Sequence, residues 1–144
     1  MTREERIYKR LLTIFPSLEA MAAGGYKKVV NEPYMPLSMD ILADIEYGRV
    51  ISIAHNFIQN GDVMADPDMQ ILVTCEKQSA QAMTFQNDSL GIYQECLFFD
   101  DAGKLLVRMK LLKDLNRFLD VWTKNLVDQG FADAAKEVDC HAAD

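Results

Sequence analysis

The chain has 144 residues, 49% hydrophobic and 26% charged, proportions that supply the core of one ordinary domain and exclude a disordered segment. Its net charge of −7, from 22 acidic and 15 basic residues, comes without any cluster of Lys and Arg, which argues against direct nucleic-acid binding. Cys75, Cys96 and Cys140 form no C-x-x-C pair and leave one over in any pairing, so neither a disulfide framework nor a zinc knuckle is expected. With a charged start in place of an apolar signal core, and no apolar run of membrane-spanning length, the expected setting is the cytoplasm.

The first segment, residues 2–23, is predicted to be helical. Thr2 and Glu5 have the spacing of a capping box, and Ile7, Leu11, Ile14 and Leu18 make one apolar stripe. Pro16 should break it, and Gly24-Gly25 should end it. The period then changes from 3.6 to 2, and the region 26–110 is predicted to be sheet. Tyr26–Val30 is a short strand. Met35, Leu37, Met39 and Ile41 alternate with polar positions in a half-buried strand, and Tyr47-Gly48-Arg49 is a turn. Val50–Gln59 is the next strand, turned by Asn60-Gly61-Asp62, with a loop running through Asp66-Pro67-Asp68 to a strand at Met69–Cys75. Strands follow at Gln81–Gln86, Ile92–Phe99 and Leu105–Lys110, the last two paired across Asp100–Gly103. A helix over residues 113–129 presents Leu115, Leu119, Trp122 and Leu126 on one face, with Gly130 at its end, and the acidic tail from Ala134 is expected to fray.

Helix, strands and helix in that order, without strand–helix–strand alternation, predict one α+β domain over residues 1–144. Its centre is a curved, mostly antiparallel sheet of 6–7 strands, with the N-terminal and C-terminal helices packed on one face.

Several stretches together carry a resemblance: Gly24-Gly25-Tyr26, Pro33–Leu37, Ile53-Ala54-His55, Gln59–Asp62, Asp66–Met69 and Gly91–Glu95, with Trp122, Asn125-Leu126 and Gln129-Gly130-Phe131. In these the chain resembles a family of small uncharacterised bacterial proteins catalogued as a domain of unknown function, associated with conjugative elements and phages. The resemblance runs from Gly24 to Phe131 and implies a single domain in a mobile-element setting. It implies no activity, cofactor or catalytic residue.

The polar constellation richest in chemistry is His55, Gln59, Asn60, Asp62, Asp66 and Asp68, joined by Asp88 and Glu95. Carboxylates beside one histidine are the groups that hold a hard cation or exchange protons. The spacing fits no metal template, Asp66-Pro67-Asp68 is also what a turn contains, and no metal or cofactor is expected. His55 shares strand parity with Ile51, Ile53 and Phe57, so the ordinary alternative is a core histidine satisfied by its neighbours. Glu95 shares parity with Tyr93, Leu97 and Phe99, and Arg108 on the neighbouring strand is a candidate ion-pair partner. No G-x-S-x-G, Ser-x-x-Lys, P-loop or G-x-G-x-x-G is present.

Three functional readings follow. The first is a non-enzymatic accessory or interaction protein of a mobile element, binding a protein partner through candidates Asn60, Asp62, Asp66, Asp68 and Tyr93, with a homodimer left open and neither nucleic acid nor membrane as partner. The second is a small enzyme using His55 with Asp62, Asp66 or Glu95 at a sheet-face pocket, with His55 and Glu95 the catalytic candidates. The third is an acidic mimic of nucleic acid.

Overall fold

A computed structural model describes residues 1–136. Helix α1 (Arg3–Ile14) opens with Thr2, whose hydroxyl accepts the backbone N–H of Glu5 at 3.1 Å, and stops before Pro16. Nine strands follow: β1 (Tyr26–Val29), β2 (Leu37–Ile45), β3 (Gly48–Gln59), β4 (Asp62–Thr74), β5 (Ser79–Ala82), β6 (Thr84–Asn87), β7 (Ile92–Glu95), β8 (Leu97–Phe99) and β9 (Leu105–Val107). Helix α2 (Met109–Asp128) closes the series, and residues 131–136 are again helical, with Phe131 and Ala135 buried. The rest of the tail expected to fray lies outside the described residues.

The fold is α+β. Seven strands form one open antiparallel sheet in the order β1-β2-β3-β4-β6-β7, with β5 sharing the β6 edge of β4, and β8–β9 form a separate hairpin. The helices cover one face, α1 packing on α2 and both on β5. Between helices and sheet lies the core, where Ile7, Leu11, Phe15, Met39, Ile53 and Met69 are sealed from solvent. Trp122 lies in the same layer, 7% exposed. An Arg cluster ties the helices together: Asp120 of α2 accepts from Arg6 at 2.9 Å and from Arg10 at 2.5 Å.

The turns follow their chemistry. Asn60 and Gly61 both have positive φ, the requirement of a tight hairpin turn between β3 and β4. A side chain at Gly48 would run into the Val73 carbonyl.

Five elements differ from the sequence expectation. Residues 15–23, expected to be helical with 2–14, hold turns and no helix, because Pro16 ends α1. Asp62–Asp68 is strand, not loop: β4 runs straight through Asp66-Pro67-Asp68. The ladder skips from Ala54↔Asp68 to Asn56↔Ala65, so Asp66 and Pro67 have no partner across β3, and proline's missing donor is not needed there. The strand predicted over Gln81–Gln86 is broken at Met83 into β5 and β6, both bonding the same edge of β4. The strand predicted over Ile92–Phe99 is broken at Cys96, whose thiol donates to the Ala82 carbonyl at 3.1 Å, so β7 stays in the sheet while β8 leaves it. Helix α2 begins at Met109, where a strand to Lys110 and a helix from Lys113 are predicted, because Leu112 extends the buried stripe of Leu115, Leu119, Trp122 and Leu126 by a turn.

Candidate functional site

Strand register decides what the uncovered face of the sheet presents. Directly paired residues point to the same side, and alternate residues to opposite sides. Met39, Ile53 and Met69 pair in one row on the helix side. The neighbouring rows therefore face away from the helices. One runs Tyr26, Asp40, Ser52, Gln70 across β1 to β4. The next runs Lys28, Ser38, Ala54, Asp68, Gln86, Tyr93 across six strands. Glu95, paired with Thr84, adds a third carboxylate beside Tyr93.

This open face has a floor of small side chains, Ser38, Ser52 and Ala54, with Asp40 and Asp68 on the strands either side of β3. At one end Tyr26, Pro36, Asn56, Ile58 and Val63 line a hollow of about 470 Å³. At the other, Leu42, Val50, Thr84, Tyr93, Leu97 and Phe99 line a second of about 350 Å³, walled by the β8–β9 hairpin. Apolar side chains stand exposed at both ends: Ile58 and Val63 are 76% and 72% exposed, and Leu42, which shares the outward parity of Ser38 and Asp40 and has no partner on β3 at the bulge, is 45% exposed.

The electrostatics are those of crowded acids. Burial pushes the Asp68 carboxyl above its ordinary range, and the charges of Asp40 and Asp88 push the same way. The Tyr93 hydroxyl is raised by burial, and then by Glu95, to which it hydrogen-bonds, and by Asp68. Arg108 does not pair with the Glu95 carboxylate. Its guanidinium donates to the Glu95 backbone carbonyl at 2.7 Å and lies 4.2 Å from the centre of the Phe98 ring.

Asp68, Tyr93 and Glu95 therefore meet on one surface, and the other sequence candidates lie elsewhere. Asn60 and Asp62 sit at the β3–β4 tip. Asp66 accepts from the Asn87 amide at 2.7 Å, and the neighbouring Asp88 carboxylate accepts the Ala65 N–H at 2.7 Å, so the β6–β7 turn clamps the β4 bulge. His55 points to the helix side, 8% exposed, its ring 5.6 Å from those of both Trp122 and Phe131. Its Nδ1 lies 3.3 Å from the Pro36 carbonyl, which can only accept, so that nitrogen carries the proton. Burial lowers its pKa below 6.5, against smaller opposing effects from the Pro36 and Met35 carbonyls and the Asp66 charge. The histidine and the Asp68–Glu95 surface stand on opposite faces of the sheet. Among the described residues, no three His, Cys, Asp or Glu side chains are grouped to hold a metal ion, and no helix is long and apolar enough to cross a membrane.

Sequence inspection singles out Asp68, Tyr93 and Glu95 but not Tyr26, Asp40, Ser52 or Gln70. Asp40 carries a signal, since it occupies the polar parity of a half-buried strand. What aligns it with Asp68 is the two-strand register across β3, which no local pattern encodes.

Fold and face together define an α+β domain whose antiparallel sheet is covered by helices on one side and left open, acidic and partly apolar, on the other. Residues 7–132 match the model of a domain of unknown function, DUF6908, and the chain belongs to that family. No curated protein and no solved structure matches it.

Proposed function

We propose that this chain is a non-enzymatic binding module that receives a protein partner on the open face of its sheet. The observation that carries the reading is the face itself: a small-residue floor with carboxylates, flanked by two hollows rimmed with exposed apolar side chains. Exposed apolar surface rimmed by polar groups marks interaction sites on soluble domains. The non-enzymatic part rests on His55, which is walled in by aromatic rings while Asp68 and Glu95 occupy the other face. The setting we adopt is a cytoplasmic accessory of a conjugative element or phage: the charged start and the lack of a membrane-length apolar run support the cytoplasm, and the sequence resemblance alone supports the mobile element.

The test is a photo-crosslinking residue placed at Tyr93 on the open face or at Val121, exposed on α2, with the full chain expressed in its own host. A discrete polypeptide adduct from the Tyr93 position and none from Val121 is expected. Adducts from Val121 alone, or from neither position, overturn the reading.

A further inference from the structure

Resting on that reading of the open face as a docking surface, we propose that its occupant is a cationic polypeptide segment: a Lys or Arg laid over Ser52 and Ala54 between Asp40 and Asp68, with apolar neighbours entering the two hollows. Charge complementarity selects this partner. From β1 through β9 the chain carries only five of its 15 basic residues, Lys27, Lys28, Arg49, Lys77 and Lys104. Of these Arg49 is paired with Asp44 at 2.7 Å, and Lys28, at the β1 edge of the open face, lines the first hollow, so the stretch that selects a cation is the one from Asp40 through Asp68 to Glu95. Arg108, the next cation in the chain, borders the second hollow and is engaged by Phe98 and the Glu95 carbonyl. A nucleic acid or an anionic lipid surface meets like charge on this face. So does a second copy, because a two-fold dimer sets the same patch against itself, Asp40 and Asp68 included, on a chain of net charge −7.

Geometry sharpens the choice. Asp40 and Asp68 stand two strands apart across the sheet and two residues apart along it, roughly 12 Å in all, wide enough to flank an ammonium or guanidinium group instead of chelating a bare ion. Tyr26 and Tyr93, each more than half exposed, end the two rows and offer ring faces to a guanidinium. Burial is the main reason the Asp68 carboxyl is raised, and the Asp40 and Asp88 charges add to it; a cation seated beside Asp68 offsets that acid–acid repulsion.

The probe is a blocked peptide of about ten residues, long enough at about 3.3 Å per residue to cross six strands, with a central Arg between Leu and Tyr. Its affinity for the full chain is measured by fluorescence anisotropy at low salt, beside a peptide with Glu in place of Arg. Micromolar binding of the Arg peptide is expected, about tenfold or more weaker for the Glu peptide and for the Asp40→Asn/Asp68→Asn protein, and unchanged in Val121→Ser. Equal affinity for the two peptides overturns cation recognition and leaves a docking face standing. Arg-peptide binding that ignores the double substitution overturns both readings. Failure of the Arg peptide to bind at all overturns the proposal. A dimer in sedimentation that dissolves in Asp40→Asn/Asp68→Asn places a second copy on the face and also overturns it.

Discussion

Asp68 is the residue at which stability and the proposed function pull apart. Its carboxyl is held above the ordinary 3.8 by burial and by two neighbouring acids, so the folded state binds that proton more tightly than the unfolded chain does. The sign follows: below pH 3.8 both states are protonated and Asp68 costs nothing, and the cost grows as pH rises through the folded pKa. Asp68→Asn should therefore stabilise the protein at pH 7, read as a rise in Tm over the parent. The gain should vanish when melting is repeated below pH 3.8. A variant no more stable than the parent at pH 7 contradicts the crowded-acid account. His55 is the opposite kind of residue: a neutral ring, hydrogen-bonded and enclosed by aromatics, in a role its apolar strand parity already indicated.

At the scale of elements, α2 shows how far a periodic signal reaches. Leu115, Leu119, Trp122 and Leu126 predict a buried stripe, and all four are buried against the sheet and α1. Trp122→Ala should cost about 3–5 kcal/mol in a denaturant melt, as for other large core aromatics, and a loss below about 1 kcal/mol would mean the stripe does not bear on the core. Strand β4 shows where such signals end. Asp66-Pro67-Asp68 has the composition of a turn, and only the bulge against β3, with Asp88 of the β6–β7 turn accepting the Ala65 N–H, makes a continuous strand of it. Met83 and Cys96 break their strands for similar reasons. Each bonds back to an earlier strand, the Met83 N–H to the Gln70 carbonyl of β4 and the Cys96 thiol to the Ala82 carbonyl of β5. Period and turn chemistry are local and therefore legible, whereas bulges and strand switching are set by partners that the local sequence does not name.

At the scale of the whole molecule, the sheet has two unlike faces. The helix side is a sealed core. The open side keeps exposed apolar residues at both ends of an acidic floor, where an antiparallel sheet facing only water would alternate cleanly to polar. That asymmetry was half legible in the sequence: the polar parity of β2 and the isolated Asp68, Tyr93 and Glu95 could be read, but not their assembly into rows spanning six strands. The most direct test of the account is a methyl-labelled NMR titration of the full chain with the arginine peptide. The account predicts shifts concentrated at Leu42, Ile58 and Val63, with the methyls of Val121 on α2 unmoved. Shifts centred on Val121 and its helical neighbours, with Leu42, Ile58 and Val63 silent, would contradict it.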